Sequence, residues 1–293
     1  MEGAPRIMVG NRSGHSADNP GESRASPPGR LRIERSGAVG ELVIDNPSRR
    51  NALSKAMWRH FGAAVEQLDA DKQIKVIVVR GAGTHFSAGV NLPDLQAVIG
   101  NESTRNGGDV TGAEEALASA TKPTVAAIDG YCVGGGWELA GACDIRIASS
   151  RASIGITAGK IGIVYPTSGI RRLVELAGAG RAKYLLLSGN LISAEEALVF
   201  GLVSKVVAPA HLHDQVRVLA EKLANRSQLS AQAHKDLVDA IASGGTEVID
   251  RSVYWQDQQR QSPDALIGIR AFINKEPPAF EWSAPTERYR GAR

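Results

Sequence analysis

Residues 124–139 read TVAAIDGYCVGGGWEL, and this stretch decides the architecture. The run of small and branched residues over 124–128 is typical of a strand covered on both faces. Three consecutive glycines, Gly134 to Gly136, then open a segment predicted to be a helix that ends near Ala142. A buried strand, a glycine-rich turn and a helix are the repeating parts of parallel α/β folds.

The same alternation continues on both sides of this stretch. Further strands are predicted at 31–35, 40–44, 76–79, 145–149 and 202–207. Ser54 fits the N-cap of a helix, because apolar residues follow it at a period of 3.6. The sequence therefore predicts an α/β core with a mainly parallel sheet.

The 293 residues divide into four predicted parts. They are a disordered tail (1–30), the α/β core (31–208), a helical region (209–280) and a C-terminal tail (281–293). Arginines recur in the first tail, as in a mitochondrial presequence, but its acidic residues and lack of helical period argue against that alternative.

The helical region is predicted to hold helices at 210–225, 230–243 and 246–274, the last interrupted near Pro263. Apolar residues such as Leu266 and Phe272 must pack against something, so a subunit interface is predicted there.

Composition and charge exclude several classes of protein. The net charge of +3 comes from scattered residues, so no nucleic-acid partner is expected. No apolar run approaches the ~20 residues that span a bilayer, so neither a membrane partner nor secretion is expected, and we predict a cytoplasmic protein. Cys132 and Cys143 are predicted to be inert packing residues, and the histidines show no spacing typical of a metal site.

The glycine-led turn suggests chemistry, although two interpretations remain open. Unshielded N–H groups at a helix start can hold an anion or a developing oxyanion, whereas glycine also permits tight packing of helix on strand. Glu138 follows the turn, either as a solvated residue favoured by the helix dipole or as a buried acid/base.

Two further segments also lie between predicted elements. Residues 81–92 follow a buried strand, but no long helix begins there as a dinucleotide-binding turn would require. Residues 100–112 are polar and rich in glycine, so we predict a mobile lid.

Over about residues 31–280 the chain resembles the enoyl-CoA hydratase/isomerase family, or crotonase superfamily. The resemblance rests on separate landmarks in the expected order, namely Asn46-Pro47 with Asn51-Ala52-Leu53, Phe86 to Leu92, Gly130 to Ala140 with Cys143-Asp144, Leu187-Ser188-Gly189, Ala194 to Ala197, Gly201-Leu202-Val203 and Ala271 to Lys275 with Pro277-Pro278.

This resemblance implies a crotonase-like spiral of repeated ββα units with a helical C-terminal oligomerisation region. It implies an acyl-CoA thioester substrate, no cofactor apart from the coenzyme A of that substrate, and a homotrimer or dimer of trimers. The thioester oxygen is expected on the backbone N–H groups of Val90 and Gly135, with Glu138 as the acid/base. Positions expected to contact substrate are Ala88, Asn91, Leu92 and Gly134.

The sequence departs from the family pattern at one catalytic position. Hydratases of the family commonly use a second glutamate, and Ala158 stands at its position here. Alanine cannot transfer a proton, so hydration would depend on Glu138 alone or on a substitute. The candidate substitutes are Asp94, Glu114, Glu115 and Tyr165. We expect an enoyl-CoA hydratase-like lyase, with a decarboxylase or hydrolase of the same superfamily, or a weakly active acyl-CoA-binding homologue, as alternatives.

Overall fold

The computed structural model describes residues 29–100 and 106–284. Within these residues the strands are β1 (Arg30–Ser36), β2 (Val39–Asp45), β3 (Val76–Gly81), β4 (Thr124–Ile128), β5 (Tyr131–Val133), β6 (Ile145–Ser149), β7 (Ser153–Gly155), β8 (Leu191–Ser193) and β9 (Lys205–Val207). The helices are α1 (Lys55–Ala70), α2 (Leu95–Val98), α3 (Gly108–Ala118), α4 (Gly135–Ala142), α5 (Thr167–Ser188), α6 (Ala194–Val199), α7 (Leu212–Ala224), α8 (Gln228–Ala242), α9 (Val248–Gln261) and α10 (Asp264–Asn274).

The main sheet has the strand order β1-β2-β3-β4-β6-β9. Only the β1–β2 pair is antiparallel among the described strands of this sheet, and the other four pairs are parallel. A second sheet has the strand order β5-β7-β8. The predicted α/β core with a mainly parallel sheet is therefore confirmed.

Alternate residues of β3 enter two different cores. Ile77 packs in the larger core with Phe61 of α1, whereas Val76 packs in a smaller core with Val216 of α7. Helices thus cover both faces of the strand, which explains why its sequence is apolar at successive positions.

Helix α1 begins as its sequence predicts. The Ser54 hydroxyl accepts a hydrogen bond of 3.4 Å from the Met57 N–H, and the buried side chains of the helix recur on one face. This cap satisfies one of the N–H groups that a helix start leaves without an intrahelical partner.

The predicted lid over residues 100–112 is wrong in its second half. Helix α3 begins at Gly108, and Val110 is only 2% exposed. Val110 is the one apolar side chain between residues 101 and 112, so the segment's polar composition concealed the helix. Residues 101–105 of the predicted lid lie outside the described residues.

The C-terminal helices α7 to α10 follow the predicted segments, and the break at Pro263 separates α9 from α10. Phe272 and Leu266 remain 86% and 74% exposed on the single chain. Residues 281–284, predicted as part of a tail, are tied to α10, because the N–H groups of Glu281 and Trp282 both donate to the buried Asp264 carboxylate. The N-terminal tail of the prediction lies outside the described residues up to position 28, and β1 starts at Arg30.

Candidate active site

Gly134 sets the direction in which helix α4 begins. Its backbone has φ 56° and ψ −118°, a conformation that residues with a Cβ atom rarely adopt. The helix then starts at Gly135, and the Glu138 N–H donates to the Gly134 carbonyl at 3.1 Å. Glycine at this position therefore fixes the start of the helix.

The next two glycines allow close packing. A Cβ on Gly136 would lie 2.4 Å from the Ser87 carbonyl oxygen, and one on Gly135 would lie 2.8 Å from the Trp58 ring. The packing interpretation of this turn is thus correct. It does not exclude anion binding, because packing occupies the α-carbons and leaves the N–H groups available.

The segment 86–92 is held against the same turn by backbone hydrogen bonds. The Val133 N–H donates to the Ser87 carbonyl at 3.0 Å, and the Ser87 N–H donates to the Tyr131 carbonyl at 2.9 Å. On the other side, Leu53 donates to Gly89 at 2.8 Å and accepts from Asn91 at 2.9 Å. These bonds fix the residue between them, Val90.

Val90 and Gly135 are neighbours in space. A Cβ on Gly135 would lie 3.4 Å from Val90 Cγ2, and a Cβ on Gly89 would lie 3.0 Å from the Gly135 nitrogen. Among the described residues, neither the Val90 N–H nor the Gly135 N–H donates a hydrogen bond. The two N–H groups singled out by the sequence therefore belong to adjoining backbone segments and are both unpaired.

Glu138 is buried rather than solvated. Only 2% of the residue is exposed, and its Oε1 accepts no hydrogen bond within the described part of the chain. Burial raises the pKa of Glu138 well above its ordinary value, and the neighbouring Glu114 raises it further. The interpretation of Glu138 as a solvated residue at a helix start is wrong, and its surroundings favour the neutral carboxyl over the carboxylate.

Glu114 supplies a second buried carboxyl, from helix α3. The residue is fully buried, and its Oε1 accepts a hydrogen bond of 2.7 Å from Arg172 Nε of α5. Its Oε2, like Oε1 of Glu138, accepts no hydrogen bond among the described residues. Burial raises the pKa of Glu114, while Ser168 and Arg172 lower it.

Tyr165 is the other sequence-proposed substitute that reaches Glu138. Its buried hydroxyl donates to the Gly134 carbonyl at 2.8 Å, and a Cβ on Gly169 would lie 2.7 Å from the Tyr165 ring and 3.0 Å from Glu138 Oε1, so the two side chains are neighbours. Burial raises the pKa of Tyr165 well above its ordinary value, so the phenol is neutral. Asp94 instead accepts from the Lys55 N–H at 3.2 Å, and the Glu115 side chain is 46% exposed.

Helical spacing distinguishes Glu114 from Glu115. Glu114 follows Val110 by four positions and precedes Leu117 by three, so it shares their buried face. Recognising this face required helix α3, which the sequence had suggested to be a lid. The signal was present, but it was masked by the glycines around residues 107 and 108.

Comparison with known proteins decides the family. The model of the enoyl-CoA hydratase/isomerase family matches residues 34–283. The chain belongs to this family. A Thermus thermophilus protein with an enoyl-CoA hydratase name is 35% identical over 248 residues, which are 83% of this chain and 98% of the relative. A crotonyl-CoA hydratase of Syntrophomonas wolfei is 33% identical over 254 residues, covering 85% and 96% of the two chains.

Solved structures of the family share the fold. A crystal structure of an enoyl-CoA hydratase/isomerase family member superposes with a TM-score of 0.82 at 39% identity, covering 88% of this chain and all of that one. The crotonase-like fold class predicted from the sequence is thereby confirmed, and the C-terminal helices fit the oligomerisation region of the family.

Asn91, one of the positions expected from the sequence to contact substrate, is held by two neighbouring side chains. Its side-chain oxygen accepts from Arg49 at 3.0 Å, and its amide nitrogen donates to Asp94 at 3.0 Å. An aspartate could accept from Arg49 but would repel Asp94, so asparagine suits both neighbours. Nearby, Leu92 is 67% exposed, and the Ala88 N–H donates to the Arg50 carbonyl at 2.9 Å.

Ala158 lies in a short 3-10 turn and is 7% exposed. No carboxyl occupies this position, whereas Glu114 reaches Glu138 from a different helix.

A cavity of about 630 Å³ lies away from these residues. It is bordered by the end of α1 and by α8 and α9, and its lining includes Tyr254, Trp255 and Trp282. None of the sequence-predicted site residues lines it. Over residues 29–100 and 106–284, no helix is both long and apolar enough to cross a bilayer, and no three potential metal ligands cluster.

Proposed function

We propose that the protein is an enoyl-CoA hydratase-like lyase, which adds water to a 2-enoyl-CoA thioester or removes it from the hydroxyacyl product. The observation that carries this proposal is the pair of unpaired N–H groups at Val90 and Gly135, on adjoining segments beside the buried Glu138. Related proteins named crotonyl-CoA hydratase and short-chain-enoyl-CoA hydratase support it.

The two N–H groups are proposed to bind the thioester oxygen. When water adds to C3, the electrons of the double bond move toward that oxygen, which becomes the negative centre of an enolate. Donors already fixed by the surrounding hydrogen bonds stabilise this charge without reorganisation. One such donor is worth ~3 kcal/mol of transition-state stabilisation.

Glu138 is proposed to move the proton. As the water oxygen bonds to C3, the Glu138 carboxylate takes a proton from the water, and Glu138 then gives this proton to C2 as the enolate collapses. Hydroxide thus ends on C3 and hydrogen on C2, and the enzyme is unchanged. Ala88, Asn91, Leu92 and Gly134 are proposed to contact the acyl-CoA, with no cofactor beyond its coenzyme A.

The lack of a carboxyl at position 158 supports the alternative functions. With no carboxyl at this position, the same oxyanion turn also suits a decarboxylase or hydrolase acting on an acyl-CoA, or a weakly active acyl-CoA-binding protein. All three alternatives keep the thioester as ligand and differ only in the chemistry that follows binding.

The C-terminal helices support a homotrimer or a dimer of trimers. Ile269, Phe272 and Ile273 of α10 are between 58% and 86% exposed on the single chain, although apolar helix faces are normally covered. Light scattering during size-exclusion chromatography tests this assembly. A cytoplasmic location stays a prediction from the sequence.

A panel of 2-enoyl-CoA thioesters tests the proposed reaction. We expect wild-type protein to consume at least one, with loss of the conjugated enoyl absorbance, and Glu138→Gln to lose ~10²–10⁴-fold in kcat/KM. Glu195→Gln, an exposed glutamate of α6, is the matched control and should keep full activity. Release of free coenzyme A or carbon dioxide would instead favour a hydrolase or decarboxylase, and tight binding without turnover would favour the binding protein.

A further inference from the structure

The site holds a second carboxyl that the family pattern does not predict. Position 158, where a second glutamate is expected, carries alanine, yet Glu114 approaches Glu138 from helix α3. We propose that Glu114 acts through Glu138 as a positioning residue, with one proton held in common by the two carboxyls. This proposal rests on the proposed function for its catalytic meaning, although the shared proton can be tested without turnover.

Burial requires the pair to hold a proton. Glu114 is fully buried and Glu138 is 2% exposed, and the two carboxyls are neighbours where α3 packs against α4. Two carboxylates this close cannot both be charged in a medium that poorly solvates them. One oxygen of each carboxyl is without a hydrogen-bond donor among the described residues. A proton between the carboxyls supplies the donor that the protein does not.

The surrounding groups assign one negative charge to the pair. Arg172 of α5 donates to Glu114 at 2.7 Å, and Ser168 also faces this carboxyl. On the other side, Tyr165 faces Glu138 as a neutral phenol. One cation therefore balances one anion in the buried cluster, with Glu115 at its outer edge, 3.3 Å from Arg172.

A purely structural ion pair does not explain Glu138. Glu114 and Arg172 could join α3 to α5 by themselves, and burying another carboxyl beside them disfavours folding. A destabilising group retained next to an oxyanion turn is typical of a functional site.

The pair gives Glu138 two proton states. Before reaction the carboxyls hold one proton and one negative charge. When Glu138 takes a proton from the attacking water, the shared proton moves to Glu114, and the pair becomes neutral. Glu138 then gives a proton to C2, which restores the starting state with water added across the double bond. Glu114 thus keeps Glu138 able to act as base and then as acid, without touching the substrate.

Infrared spectroscopy of the ligand-free protein tests the shared proton directly. We expect a carboxylic-acid C=O band near neutral pH that is lost or displaced in both Glu138→Gln and Glu114→Gln. Glu115→Gln is the matched control, because Glu115 is the next residue on α3, contacts the same arginine and is 46% exposed. Its band should match that of wild type. A wild-type spectrum with no such band would overturn the proposal, whether or not the protein is a hydratase.

The pH dependence of kcat/KM tests the link to catalysis. Glu114→Gln removes a negative charge beside Glu138 and leaves Arg172, so the pKa of Glu138 should fall. The limb of the pH profile that reflects ionisation of Glu138 should therefore move to lower pH, and kcat should fall about 100-fold. Glu195→Gln, the exposed control on α6, should keep the wild-type profile. An unshifted profile in Glu114→Gln, with any loss confined to stability or KM, would show that Glu114 is only structural. Absence of turnover in wild type would refute the proposed reaction, and the infrared result would still decide the shared proton.

Discussion

The hydroxyl of Tyr165 donates a hydrogen bond of 2.8 Å to the carbonyl oxygen of Gly134. The same carbonyl accepts the Glu138 N–H at 3.1 Å, so one peptide group joins the phenol, the glycine turn and the proposed acid/base. The orientation of that peptide sets the direction of the Gly135 N–H, which belongs to the next residue.

Tyr165→Phe should loosen this turn while keeping the buried ring. Loss of one hydrogen bond should lower the free energy of unfolding by about 1 kcal/mol, and kcat should fall by about tenfold because the oxyanion donor is less well fixed. Steady-state kinetics and thermal unfolding measure the two effects. Tyr184→Phe, on a tyrosine that is 47% exposed, is the control. Unchanged kcat in Tyr165→Phe would show that the hydroxyl does not hold the turn.

Gly134→Ala should reduce catalysis more than stability. No atom lies within 4 Å of the added methyl group, so the cost is the strained backbone, about 1–3 kcal/mol. Gly37→Ala is the matched control, because Gly37 also has a positive φ, of 59°, and no atom within 4 Å of an added methyl group, and it lies in the β1–β2 turn. Both variants should lose similar stability, but only Gly134→Ala should lose kcat, by about 10²–10³-fold as for one oxyanion donor. Equal activities would contradict a role for this turn.

Stability should depend on pH through Glu138. Because burial raises its pKa above the ordinary 4.5, the folded protein holds a proton that the unfolded chain has already released as pH rises. The free energy of unfolding of the wild type therefore falls as pH rises from the ordinary glutamate pKa of 4.5 towards the raised pKa of Glu138. The Tm of Glu138→Gln should exceed that of wild type by a margin that widens as pH rises above about 5. Parallel Tm curves for the two proteins would mean that Glu138 is not protonated in the fold.

Ala158→Glu should not improve the enzyme. Ala158 is 7% exposed, so a new carboxyl there would have to be buried, and Tm should fall. Since Glu114 already provides a second carboxyl, kcat should not rise. A gain of about 100-fold, as expected when an acid/base is restored, would show that the chain is a hydratase weakened at position 158.

Much of this fold could be predicted from local sequence. Thr124–Ile128 is a strand, Ser54 caps α1, and the glycine turn opens α4, because each depends on residues close in the chain. Strands β5, β7 and β8 escaped prediction, since each has three residues and is stabilised mainly by its neighbours in space.

The site was predictable in part. The family motifs indicated Val90, Gly135 and Glu138, but the contact between Glu138 and Glu114 depends on the packing of α3 against α4. Tertiary contacts of this kind have no local signature. Only the spacing of Glu114 from Val110 and Leu117 indicated that its side chain would be buried.

The central claim is that the Val90 and Gly135 N–H groups polarise a thioester carbonyl. Infrared or carbon NMR spectroscopy of a saturated acyl-CoA, isotopically labelled at the thioester carbon and bound to the protein, measures that polarisation directly. We expect the C=O stretching frequency of the thioester to fall on binding to wild type. In Gly134→Ala the frequency of the bound thioester should be close to its value in water. A thioester that binds tightly to wild type with the carbonyl frequency it has in water would contradict the claim.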